Sequence, residues 1–239
     1  MSHYQQQVNA ILQNAICYHE AFYQAYWNRT TFHGPSLYFH RRAVETSLQR
    51  GYTKDFDKHV EYIYATLVSW GMHQNGAKMG AYDSFKSSIA RLYREIVEAT
   101  EIDYQYVTAA DLQRLERIFE NLVVMQTRPR LVAHSKVMAH LFPDLIPPVD
   151  NKYILGYLNE QATVQNGKEW LLMKRILSDF FIPIACTPGF QQQANKWMEQ
   201  QDEHPWDTSL FKVIDNLIIG ERWLNKKPLP EQTIPRLTY

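Results

Sequence analysis

Residues 131–154 read LVAHSKVMAHLFPDLIPPVDNKYI, and two side chains in this stretch are candidates for chemistry: Lys136 and Asp150. An amine becomes a useful nucleophile only when burial or nearby cations bring its pKa well below the free value of about 10.4. Asp150 follows Pro148 and precedes an amphipathic segment, which makes it an N-cap, a role that contributes on the order of 1 kcal/mol whether or not the residue also acts in catalysis. Leu131, Val132, Val137, Met138, Leu141 and Phe142 form the apolar side of the segment, so Lys136 is expected at the edge of the buried face.

Basic residues gather around the same two turns. Arg128, Arg130, Lys136 and Lys152 lie within 25 residues of one another, with Arg114 and Arg117 on the preceding helix and the run His40 to Arg42 elsewhere. Facing one way they would form a local phosphate-binding patch; otherwise they are solvated helix ends. A patch is the only route to nucleic acid, because 25 lysines and arginines balance 25 aspartates and glutamates and leave no global basic field.

Other chemistries lack a signature. The chain has no GxxxxGK[ST], HExxH, CxxC or GxSxG. His134 and His140 are six apart and fall on different faces of a helix, so no metal site and no cofactor are expected. The loop GMHQNGAKMG (71–80) has amides to offer a phosphate, but no strand precedes it, and an ordinary interhelical loop is the simpler reading.

The elements that must position these residues are helices. Val8, Ile11, Leu12, Ala15, Ile16, His19, Phe22, Tyr23 and Tyr26 recur at the spacing of one helical face. Further helices are predicted from about Leu37 to Arg50, stopped by Gly51, and over Val60 to Trp70. Another is capped by Asp83 and carries Phe85, Ile89, Tyr93 and Val97. Later ones open near Thr108 and cover Leu131 to Leu141, and the next starts at Asp150. Three more are predicted near 167–182, 190–201 and 208–224. Tyr64, Trp70, Tyr93 and Trp170 fall on apolar faces and read as core. No strand pattern emerges, so the prediction is a compact all-α globular protein. It is one helical domain over 1–224, or two helical subdomains packed together, followed by a proline-containing tail over 225–239.

Two stretches carry resemblances. VEYIYATLVSWGMHQNGAKMGAYDSFKSSI (60–89) and LVAHSKVMAHLFPDLIPPVDNKYI together resemble a family of uncharacterised bacterial proteins of similar length, which brings no activity with it. The second stretch also resembles the corner of helix-hairpin-helix DNA glycosylases. That resemblance implies a related helical architecture, with Lys136 as the amine that attacks the sugar C1′ after base flipping and Asp150 as the carboxylate that activates it or stabilises positive charge. The pattern departs from that family in TRPRLVAHSK, which lacks the hairpin glycines, and in a Lys-to-Asp interval about one turn, or roughly 3.6 residues, short.

The primary expectation is therefore DNA binding through Arg128, Arg130, Lys136 and Lys152. A glycosylase or lyase using Lys136 and Asp150 is the second expectation, and a non-catalytic interaction or oligomeric module the third. MSHYQQQVNAI has no signal-peptide character, the longest apolar run is near FFIPIAC, and Cys17 and Cys186 are far apart. These features predict a cytoplasmic protein with no membrane association.

Overall fold

The computed structural model describes residues 1–27, 33–52, 55–73, 78–127, 129–161 and 168–225. Arg128, residues 74–77 of the glycine-containing loop and all but the first residue of the expected tail lie outside them. The fold is all-α: among the described residues the sole β pairing is an isolated bridge between Met79 and Met125. No described helix is long and apolar enough to cross a membrane.

Helix α1 (His3–Trp27) is kinked at Asn14, whose side-chain amide donates back to the Ala10 carbonyl at 3.0 Å. Its main partner is the C-terminal helix α11 (Leu210–Leu224). Gly220 makes that approach possible, since a Cβ there would sit 1.9 Å from the Tyr18 carbonyl oxygen. Between these helices run α2 (Pro35–Glu45), α3 (Phe56–Ser69), α4 (Tyr82–Arg91), α5 (Tyr93–Ala99), α6 (Ala109–Asn121) and α7 (Leu131–Leu141). Then follow α8 (Lys168–Ile176), α9 (Ile182–Ala185) and α10 (Pro188–Glu199). Helix α8 continues into α9 through a π-turn over Leu177–Phe181. The wider turn precedes Pro183, which has no N–H to give an α-helical ladder. One contiguous core, from Val8 on α1 to Ile218 on α11, is centred on Phe85, Phe119, Phe142, Trp170, Phe180, Phe181 and Phe211.

Local chemistry moves several boundaries from their predicted places. The helix expected to run to Arg50 ends at Glu45, and a separate 3-10 turn covers Leu48–Arg50 before Gly51 at φ 75°. Thr46 ends the helix by donating its hydroxyl to the Arg42 carbonyl at 2.7 Å. The single helix expected across Phe85 to Val97 is broken at Leu92, which resets the helical phase. Tyr93 consequently points to solvent at 44% exposure instead of joining the core. Asp83 lies in the first turn of α4, and Ala81 occupies the cap. Thr108 does open α6, in a reciprocal capping box with Asp111.

Candidate functional site

Helix α7 is anchored at both ends by buried polar groups. At its N-terminus the fully buried Glu169 accepts from the backbone N–H of Arg130 at 2.5 Å and of Leu131 at 3.0 Å. A carboxylate supplied from α8 thus satisfies two orphan donors at the positive end of the helix dipole. The Arg130 side chain closes the arrangement, reaching Glu169 at 3.3 Å and Glu120 at 2.7 Å. Further along, the buried Ser135 donates to the Val149 carbonyl at 3.3 Å, tying α7 to the PPVD turn.

This bond brings the two candidates from the sequence together. Asp150 caps the next turn as expected, with Oδ1 accepting from the Tyr153 N–H at 2.6 Å. The element it caps is a single π-turn, Asn151–Leu155, closed by a bond from the Leu155 N–H to the Asp150 carbonyl. Lys136 and Asp150 line one cavity of about 420 Å³. Trp70, Gly71, Trp206, Tyr153, Lys212 and Asp215 share its wall. Gly71, at φ 74°, takes the left-handed turn that carries the chain away from α3 at the rim.

The two lysines of the cavity are held differently. The ammonium of the buried Lys212 is 2.7 Å from Asp215 Oδ2, also donates to Asn216 Oδ1, and lies 5.4 Å from the Trp206 ring. Lys136 is half-buried, with its Nζ 3.8 Å from the Met72 sulfur and 5.3 Å from the Trp70 ring centroid. Burial pushes the Lys136 amine below its ordinary value, and the Lys212 cation pushes the same way. The carboxylates of Asp150 and Asp215 oppose both effects. Asp215 moves in the other direction: burial raises its carboxyl, Asp150 adds to the rise, and Lys212 resists it. Its Oδ1 is buried with no partner. A base shifted down beside an acid shifted up is an arrangement that favours proton transfer between site groups.

Behind the amine, the histidines are structural. His140 Nδ1 is 2.6 Å from the Lys136 carbonyl, which only an N–H can satisfy, so His140 Nε2 is the acceptor for His40 Nδ1 at 2.9 Å. His40 Nε2 then accepts from the Thr208 hydroxyl at 2.8 Å. Both rings are neutral: burial drives His140 to about 4 and His40 well below its ordinary value.

Of the remaining residues of the expected patch, Arg130 and Lys152 are described, and they are held apart from the cavity. Arg130 is committed to its two carboxylates, and Lys152 is exposed with its amine 4.9 Å from the Tyr153 ring. A larger cleft of about 790 Å³ beside Arg91, Arg117, Glu95 and Glu120 mixes both signs of charge and brings no carboxyl–amine pair of this kind together. Trp70, expected in the core, is a cavity wall. Lys212, Asp215 and Trp206 were missed altogether, although a lysine and an aspartate inside the apolar run LFKVIDNLII are the signal that points to them. No family model matches the chain, and neither the curated proteins nor the solved structures give a match.

Proposed function

We propose that this chain is a nucleic-acid-directed enzyme of the glycosylase–lyase class, with Lys136 as its amine nucleophile. The observation that carries the reading is the convergence of Lys136 and Asp150 in one cavity, beside the Lys212–Asp215 pair and in a wall shared with Trp70 and Trp206. Its volume of about 420 Å³ falls within the range of about 300–1,000 Å³ typical of small-ligand sites. Trp70 and Trp206, with ring centroids 6.5 Å apart, contribute aromatic surface to the wall against which an extruded base can pack.

In this mechanism the Nζ lone pair forms a bond to the sugar C1′ as the C1′–N bond to the base breaks. The bonding electrons leave with the base, which takes up a proton from the Lys212–Asp215 ion pair. Asp150 stabilises the positive charge that develops on the sugar and receives a proton from the attacking amine. Opening of the sugar ring leaves an imine on Lys136; loss of a C2′ proton to the Lys212–Asp215 pair expels the 3′-phosphate and nicks the strand, and hydrolysis of the imine then returns the free amine. Lys212 is the weaker candidate for nucleophile because its ammonium is committed to Asp215 and Asn216.

Base release and strand nicking on duplexes carrying abasic or damaged sites test the proposal. The expected result is activity that Lys136→Ala removes while the variant keeps the wild-type melting temperature. Activity unchanged in Lys136→Ala removes the lysine from its role.

Non-catalytic DNA binding through Arg128, Arg130, Lys136 and Lys152 is the second reading. It has less support from the geometry, because Arg130 is already paired with Glu120 and Glu169. Salt-sensitive retention on DNA that falls in both Lys136→Ala and Lys152→Ala, with no base release by the wild type, would favour it.

A further inference from the structure

A second cluster of chemistry-bearing side chains lies away from the cavity, where α1 meets the turn between α10 and α11. His19 projects from α1 with its Nε2 2.6 Å from Asp207 Oδ2. His204 adds a second imidazole from the turn, its ring 4.6 Å from that of His19. One ligand atom from each of the three lies within 4.8 Å of the other two. His19 is 3% exposed and Asp207 is wholly buried.

A buried histidine–aspartate pair is common as a structural hydrogen bond, and the first two residues alone would say no more. His204 changes the reading. Its Nδ1 is buried with no partner. A buried imidazole nitrogen left without a partner is unfavourable, and a cation shared with the neighbouring buried carboxylate would satisfy it.

We infer that His19, His204 and Asp207 form a binding site for a divalent late first-row metal ion such as Zn(II). Two imidazoles and one carboxylate match the ligand preference of that ion and leave a fourth position for water. Metal–ligand bonds of about 2.0–2.1 Å in a tetrahedron space the ligand atoms roughly 3.3 Å apart. The 2.6 Å contact between His19 and Asp207 therefore widens on binding as His204, on a half-buried turn, closes in.

The surroundings have the features of an outer shell. Asn216 donates to Asp207 Oδ1 at 2.7 Å, and the Tyr23 hydroxyl accepts from the adjacent Trp206 N–H at 3.2 Å. Trp197 stacks on His19 with ring centroids 3.9 Å apart and fixes its plane. Such partners orient ligands and set affinity. Asn216 also accepts from Lys212, so the chain Asp207–Asn216–Lys212 leads from the metal site to the cavity. The ion thus staples α1 to the turn that leads into α11 and, through Asn216, supports the Lys212–Asp215 pair.

The test is metal titration of the full chain after EDTA treatment, in a Cys17→Ser, Cys186→Ser background that removes the two exposed thiols. Equilibrium dialysis is expected to give one Zn(II) or Co(II) per chain. Co(II) should develop visible d–d bands with no thiolate charge-transfer band. His204→Gln should weaken Co(II) binding at least tenfold and abolish the rise in melting temperature that the metal gives. His204→Cys should retain binding and add a thiolate-to-cobalt charge-transfer band, a positive readout that remains decisive if His204→Gln does not fold. Dialysis without stoichiometric binding overturns the assignment. So does binding that His204→Gln leaves unchanged, or a His204→Cys variant without the charge-transfer band.

Discussion

The Lys136 amine rests 5.3 Å from the centroid of the Trp70 ring, with the Met72 sulfur at 3.8 Å and no carboxylate in ion-pair contact among the described residues. An amine placed this way loses hydration without gaining a strong acceptor, so its neutral form is favoured. Selective labelling by a small aldehyde with reduction should therefore modify Lys136 first, with a pH midpoint below the ordinary lysine value. The sign of each neighbour's effect is also fixed. Asp150→Asn or Asp215→Asn removes charge that holds the pKa up, so the midpoint should fall further. Lys212→Met removes a repelling cation and should raise it. The reverse order of midpoints would contradict this electrostatic picture.

Glu169 gives a second prediction. Glu169→Ala leaves the N–H groups of Arg130 and Leu131 without their acceptor and Arg130 without one of its two carboxylates. Loss of roughly 3 kcal/mol of stability is expected by denaturant unfolding, since buried unsatisfied donors cost about 1–3 kcal/mol each. An Arg130→Ala variant should show the same kind of effect at smaller size. Wild-type stability in both, with reduced DNA retention, would return Arg130 to a surface role.

Gly220 tests the helix pairing that frames the cavity. Gly220→Ala places a methyl group 1.9 Å from the Tyr18 carbonyl oxygen, and backbone atoms cannot rotate aside. Separation of α1 from α11 should cost about 1–3 kcal/mol or more. A melting temperature equal to wild type would show that the helices sit further apart.

Acid should unfold the protein early. Burial lowers His59 to about 3 and both His134 and His140 to about 4. In the unfolded chain these groups titrate near 6.5, so between pH 6.5 and 4 the unfolded state binds more protons and stability falls as pH falls. Each contributes a slope of up to about 1.4 kcal/mol per pH unit in that window, and their contribution is fully present above it. Denaturant midpoints measured from pH 7.5 to 4.5 check this, and a flat profile would contradict neutral buried rings.

The corner from α7 through PPVD was legible in the sequence because its signals are local. Proline after Phe142 stops one helix, Pro147 and Pro148 hold the chain extended, and Asp150 starts the next turn. What was not legible came from long range. Glu169 reaches Arg130 across 39 positions, and that contact turns an expected phosphate ligand into part of a helix cap. Lys212 and Asp215 sit among residues that read as an apolar stripe, and only the packing of α11 brings them to the cavity. Trp70 sits where α3 ends, so helical period alone placed it in the core although it faces an opening. His204 and Asp207, three apart in HPWD, gain meaning only when α1 delivers His19 to them.

The most direct measurement of the central claim is borohydride reduction in the presence of an abasic duplex, followed by mapping of the cross-linked peptide. The account predicts a single covalent adduct on Lys136, lost in Lys136→Ala and retained in Lys212→Met. Failure to trap any adduct, or an adduct mapped to Lys212 or to a surface lysine such as Lys152, would contradict it.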